Sequence, residues 1–299
     1  VKLPLTVLGG YLGAGKTTLL NRMLTGDHGR RIAVIVNDFG ALNVDASLIA
    51  EHSGDTIALT NGCICCSAAD GTAVAIAQIL KRRDEFDHIA IEASGVAEPG
   101  KVARNASAFQ LPLDGVIILA DADQLPDQVK NKYIGRAVAA QLRQADLIVL
   151  NKTDLADAAR TAKSRTVLAE KAPGTPVIET SYADLPVEVL FGVTRRVENH
   201  VMREESESNV DHDEGYVSAV WESAEPITRQ ELQAVANDFL SSAIRAKGFV
   251  ALEGEPDTRH LYQQVGRRWT ITPAGTWEAD TPTTRILSIR LSVQENGLD

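Results

Sequence analysis

The stretch LTVLGGYLGAGKTTLLNRML (5–24) constrains the fold more than any other. An apolar run leads into a glycine-rich loop, and the loop opens a helical pattern. Within it, GYLGAGKTT (10–18) matches G-x-x-x-x-G-K-[ST], with Gly10, Gly15, Lys16 and Thr17 at the fixed positions. The strand–loop–helix context is what this phosphate-binding motif requires. Gly13 and Gly15 let the backbone curl so that consecutive N–H groups face an anion. The helix N-terminus adds the positive end of its dipole. Lys16 is expected to reach the β- and γ-phosphates, and the Thr17 hydroxyl to hold Mg²⁺.

Further apolar runs follow at 31–38, 56–61, 88–94, 115–122, 146–152 and 176–181. Several are continuous Val, Ile, Leu and Ala rather than alternating, as in strands covered on both faces of a parallel sheet. Helical patterns such as 17–26 and 71–86 separate them. This rhythm predicts an α/β domain, a doubly wound, mostly parallel sheet, over residues 1–197. The segment 198–215 carries seven acids, one Arg and two His, and is expected to be an exposed acidic linker. Over 216–299 the pattern changes to a strand, a helix near Thr228 and four more strands, which predicts a smaller α+β domain.

A length of 299 residues suits two such units, and 44% hydrophobic residues suffice for their cores. The net charge of −10 argues against nucleic acid or an anionic membrane as partner. No apolar run approaches the roughly 20 residues of a membrane span. The chain begins directly in a strand-like segment, so no secretory leader is expected. Three cysteines without distant partners do not form a disulfide framework, and a cytoplasmic protein is expected.

Strand ends carry the remaining chemistry. NKTD (151–154) follows an apolar strand. Asp154 can accept from guanine N1–H and N2–H₂, whereas adenine has no donor there and would leave the carboxylate unpaired. Asn151 can bond the base edge and the Lys152 stem can cover its face. Guanine is therefore favoured over adenine. ETSYA (179–183) is placed to add backbone contacts to the base. Glu92, in IAIEASG, suits an acid that orients Mg²⁺ or its water. Gly95 can donate its N–H to a γ-phosphate and move when that group leaves. Asp38, in VNDFG, suits a first switch segment. Asp121 is set aside as a structural strand-end acid. No separate catalytic base stands out, so unassisted hydrolysis is expected to be slow, on the order of 10⁻⁴ to 10⁻² per second.

All three cysteines, Cys63, Cys65 and Cys66, fall within NGCICC (61–66). A Cys65–Cys66 disulfide would be strained and would leave one thiol over. An iron–sulfur cluster usually takes four thiolates. Inert buried thiols or a redox sensor remain alternatives. A soft-metal site fits best, because thiolates suit Zn²⁺ or Cu⁺. Zinc takes four ligands, so a fourth would come from Asp38, a His, water or a partner protein.

In this order, GYLGAGKTTLLNRML, NDFG, NGCICC, EASGVAEP and NKTDL closely resemble the CobW/HypB/UreG family of phosphate-loop GTPases. The C-x-C-C segment and RAKGF (245–249) in the C-terminal part resemble the CobW-like branch. The resemblance implies a metallochaperone that binds GTP and GDP with Mg²⁺ and hands a metal, zinc foremost, to a client metalloprotein. Delivery of cobalt or iron to one client enzyme is the variant, and self-association is compatible with it. Carried over, Gly13, Ala14, Gly15, Lys16, Thr17 and Thr18 bind phosphates and Thr17 binds Mg²⁺. Glu92 belongs to the second switch, Asn151, Lys152 and Asp154 read guanine, and Cys63, Cys65 and Cys66 bind the cargo metal. Lys16 and Glu92 are the candidate catalytic residues. The sequence departs from the family where its first switch usually reads N-E-F-G-E: Asp38 and Ala41 stand at the two Glu positions. His200 and His212 stand alone where many relatives carry a His-rich stretch.

Overall fold

A computed structural model describes residues 3–26, 29–36, 56–58, 68–95, 98–191, 216–277 and 282–292. The chain divides into two compact units, Val1–Val187 and Glu188–Asp299.

Among the described residues the first unit is built on seven strands: β1 (Leu5–Gly10), β2 (Ile32–Val36), β3 (Thr56–Ala58), β4 (His88–Glu92), β5 (Leu113–Asp121), β6 (Leu147–Asn151) and β7 (Val177–Glu179). Their order in the sheet is β3-β2-β4-β1-β5-β6-β7. Every pairing among them is parallel. Helices α1 (Lys16–Thr25), α2 (Ala68–Lys81), α3 (Pro99–Ala108), α4 (Leu125–Lys130), α5 (Gly135–Arg143) and α6 (Ala158–Lys171) connect them. β1, β2, β4 and β6 are buried at every residue. This is why they read as unbroken apolar runs: both faces of the sheet are covered. Leu5, Val7, Ile35, Ile76, Ile89, Ile118, Ile148 and Leu150 belong to one core cluster.

The topology decides where chemistry can sit. The chain enters at the central β1, passes to β2 and β3 on one side, returns to β4 between β2 and β1, and then crosses to β5, β6 and β7 on the other side. Because all strands run the same way, their C-terminal ends share one edge, and β1 lies where the winding reverses. Gly10, Glu92, Asp121, Asn151 and Glu179 are the last residues of β1, β4, β5, β6 and β7. Leu8 is in register with Glu92, and Asp121 with Asn151.

Among the described residues the second unit is an antiparallel sheet of β8 (Tyr216–Ser223), β9 (Arg245–Ala251), β10 (Thr258–Val265), β11 (Arg268–Thr276) and β12 (Thr284–Leu291), in the order β11-β10-β9-β12-β8, with helix α7 (Arg229–Asn237). Thr228 starts α7 with a capping box, its hydroxyl accepting from Glu231 N while the Glu231 side chain accepts from Thr228 N. A core of Leu232, Leu240, Val250, Tyr262 and Ile286 lies under that helix, with Trp221 and Trp269 packed against it. Trp269 stacks on Tyr262 at 5.6 Å between ring centroids. The buried Arg245 guanidinium donates to the carbonyls of Val189, at 2.7 Å from Nε, and Leu190. The expected linker, 198–215, lies outside the described residues.

Gly248 occupies the middle of β9, between β10 and β12. A Cβ there would stand 1.9 Å from the Arg285 carbonyl oxygen and 2.6 Å from Ile286 Cα. Both are backbone atoms that cannot swing aside. Gly248→Ala should therefore destabilise the second unit by about 3 kcal/mol. All three tryptophans, Trp221, Trp269 and Trp277, lie in this unit. Tryptophan fluorescence in a urea titration thus reports the loss, and an unchanged midpoint would contradict the packing described.

Candidate nucleotide site

The loop after β1 needs glycine at two positions. Gly10 has φ +133° and a Cβ on it would meet the Leu119 carbonyl oxygen at 2.3 Å. Gly15 has φ +104° and a Cβ on it would meet Asn151 Nδ2 at 2.3 Å. Between them, Ala14 N donates to Tyr11 O at 3.1 Å and tightens the turn. Gly15 caps α1 without any side-chain hydrogen bond, and the first turn holds no acid. That helix end is electropositive and can take an anion. Lys16 is buried, Thr17 is half-buried, and Gly13 and Thr18 are exposed.

Thr17 and Glu92 meet here although 75 residues separate them, the hydroxyl donating to Glu92 Oε1 at 3.5 Å. Glu92 itself is 3% exposed. A hydroxyl and a buried carboxylate make a hard-oxygen donor pair, which fits Mg²⁺ and does not suit a soft metal. Gly95 lies close against the phosphate loop, where a Cβ would meet Leu12 N at 2.9 Å.

Asn151 does more than the sequence suggests. It is 2% exposed. Its Nδ2 donates to Ala14 O at 3.0 Å, and its Oδ1 accepts from Ala183 N at 2.8 Å. The amide thus fastens the phosphate loop to the loop after β7. Ala183 N, expected among the backbone contacts to the base, is engaged by this bond instead. Tyr182 and Ala183 both have φ of 55°. That costly left-handed pair is held from three sides. Arg22 of α1 donates to Tyr182 O at 2.9 Å and to Asp184 Oδ1 at 2.5 Å. Thr180 Oγ1 donates to Asp184 O at 2.6 Å, and Asn151 supplies the third hold.

Lys152 adopts φ 64°. Its Nζ donates to Asp121 Oδ2 at 2.8 Å. Asp121 Oδ1 accepts from Asp123 N at 3.0 Å and Gln124 N at 3.1 Å. Asp121, set aside on sequence as structural, therefore orients Lys152 as well as the chain entering α4. An acid ending the strand next to the one that carries NKTD was the available signal. Asp154 is exposed at the same edge, and Thr153 bonds across to Thr180 O at 3.2 Å. Arg22 had no sequence signal, because its partner loop is 160 residues away. Asp38, Cys63, Cys65 and Cys66 lie outside the described residues.

The model for the CobW/HypB/UreG nucleotide-binding domain matches residues 4–179.

The chain belongs to the CobW/HypB/UreG family.

The model for the CobW C-terminal domain matches residues 216–298. The zinc chaperone YjiA of Escherichia coli is 32% identical over 98% of this chain and 95% of its own length. The zinc chaperone CobW of Pseudomonas aeruginosa is 32% identical over 93% of this chain and 84% of its own. Among solved structures, Zn(II)-bound YjiA GTPase from E. coli is similar at 26% identity and TM-score 0.48, over 99% and 96% of the two chains. Among the described residues no helix is long and apolar enough to cross a membrane.

Removing the Asn151 amide should loosen both loops together. Asn151→Ala leaves Ala14 O and Ala183 N without this partner, at a cost of about 2 to 4 kcal/mol. Nucleotide affinity should fall with stability, both measured on one preparation by fluorescent-nucleotide titration and thermal melting. Full retention of both would mean the bridge holds nothing.

Proposed function

We propose that this CobW/HypB/UreG protein is a GTPase that couples hydrolysis to the holding and delivery of a thiolate-bound metal, zinc foremost, to a client protein. The observation that carries the reading is the meeting of Thr17 and Glu92, 3.5 Å apart, beside a glycine-kinked loop at the switch point of a parallel sheet. Family membership and the nearly end-to-end likeness to proteins named zinc chaperones support the metal half.

In this reading the main-chain N–H groups of Gly13 to Thr18 surround the β- and γ-phosphates, and Lys16 adds charge where negative charge builds as the γ-phosphoryl transfers. Thr17 and Glu92 would hold Mg²⁺, which when bound neutralises phosphate charge. Gly95 offers its N–H to the γ-phosphate. Asp154 pairs with guanine N1–H and N2–H₂. The Lys152 stem, tethered through Asp121, lies along the base. Asn151 holds the two loops that shape the pocket and has an N–H left for the base edge. A water oxygen attacks the γ-phosphorus, its proton passing to the released phosphate, while the bond to the β–γ bridging oxygen breaks and GDP departs with that oxygen.

The cargo ligands are Cys63, Cys65 and Cys66, with Asp38 as the fourth candidate. β3 runs parallel to β2, so the chain leaves Ala58 at the same sheet edge as Val36 and Glu92, five residues before Cys63. A thiolate site open for transfer needs reduced cysteines, which suits the cytoplasm. A chaperone implies a recipient, a client protein that receives the metal.

Two variants separate the halves of the proposal. Lys16→Ala should lower single-turnover GTP hydrolysis at least about 100-fold. Cys65→Ser/Cys66→Ser should weaken zinc binding at least about 100-fold in a chelator competition while the metal-free protein still binds GDP. Wild-type hydrolysis by the first would sink the nucleotide half. Wild-type zinc affinity in the second would sink the metal half.

A further inference from the structure

Helix α5 carries a polar side chain where an apolar one would be expected. Gln141 is 3% exposed, with buried Val138, Ala139 and Leu142 around it on the helix. An amide in that setting is costly unless a hydrogen-bond partner requires it. Its Nε2 donates to the Gly95 carbonyl at 3.1 Å. Three residues on, and so on the same helix face, Gln144 Oε1 accepts from Gly100 N at 2.7 Å, in the first turn of α3. Helix α5, through Gln141 and the Gln144 that caps its C-terminus, therefore grips the main chain at Gly95 and again at Gly100.

Gly95 is not an arbitrary handhold. It lies three residues beyond Glu92 and packs on the phosphate loop so closely that a Cβ would meet Leu12 Cδ2 at 2.7 Å and Leu12 N at 2.9 Å. Helix α5 in turn leads into β6, whose last residue, Asn151, holds Ala14 of the same loop. Gly95, the phosphate loop and the guanine-reading strand are thus braced through one helix. Holding the carbonyl of a glycine limits rotation about its own backbone, and glycine is the residue with the most rotation to lose.

We propose that Gln141 is a positioning residue for γ-phosphate recognition. By holding the Gly95 carbonyl it restrains the backbone torsions that separate that carbonyl from the Gly95 N–H, and so contributes to the preference for GTP over GDP and to the rate of hydrolysis. The inference rests on the reading of Gly95 as a γ-phosphate partner. A purely structural Gln141 would tie α5 to the sheet and affect both nucleotides alike.

The test uses the full chain with Gln141→Met, which keeps length and apolar packing without the donor, and Gln141→Leu as a second donor-free variant should the first fold poorly. Each is titrated with fluorescent GDP and with a non-hydrolysable fluorescent GTP analogue, and assayed for single-turnover hydrolysis. GDP affinity should stay within about twofold of wild type. Affinity for the GTP analogue, and the hydrolysis rate, should fall about 5- to 20-fold, the scale of one buried hydrogen bond. Equal losses for both nucleotides with a lowered melting temperature would overturn the proposal in favour of packing. So would unchanged GTP-analogue affinity in a folded variant. Failure of the underlying reading looks different: wild-type protein would bind GDP and the GTP analogue equally, leaving no γ-phosphate contribution for Gln141 to set.

Discussion

The side-chain amide of Asn151 joins two loops that lie far apart in sequence, donating to Ala14 O and accepting from Ala183 N. Each loop carries left-handed backbone: Gly15 at φ +104° in one, a conformation open to glycine, and Tyr182 and Ala183 at φ 55° in the other, where it is costly. A buried bridge of this kind holds both in place, because releasing either would leave a main-chain polar group without its partner. Arg22 repeats the connection from outside, tying α1 to Tyr182 O and Asp184. The loop after β1 and the loop after β7 are therefore braced by the same few side chains.

Electrostatics follow from that frame. Lys152, which the base would meet, is held by Asp121. Its charge is answered by a carboxylate that also receives two main-chain N–H groups at the entry to α4. Thr17 and Glu92 stand on different elements, α1 and β4, and come together only because β1 and β4 pair in parallel register. A shift of the sheet by one residue would take Glu92 to the opposite face and separate them.

The parallel sheet was legible because its buried strands read as unbroken Val, Ile and Leu runs, and the phosphate loop because its residue types and spacing are dictated by phosphate geometry. The second unit was legible from its alternation and from Thr228, which caps the helix expected there. What the sequence withheld were contacts between distant residues. Arg22 and Tyr182, Gln141 and Gly95, and Asp121 and Lys152 carry no periodic signal. Each is a single polar pair whose partner is chosen by topology. The NKTD motif points Asn151 to the base, whereas its polar ends are largely spent on the main chain. Asp38 and the cysteines lie outside the described residues, so the cargo site rests on thiolate chemistry and the relatives.

In the proposed cycle the nucleotide and the metal are coupled. If the γ-phosphate alters how the cargo is held, linkage requires that zinc alter the protein's preference between GTP and GDP by the same factor. The direct measurement is the zinc dissociation constant of the full chain, by chelator competition under reducing conditions, in its GDP form and again with a non-hydrolysable GTP analogue. The account predicts constants that differ by at least about fivefold, as a coupling of about 1 kcal/mol requires. Equal constants in the two forms would contradict it, leaving a nucleotide site and a metal site that share one chain without acting on each other.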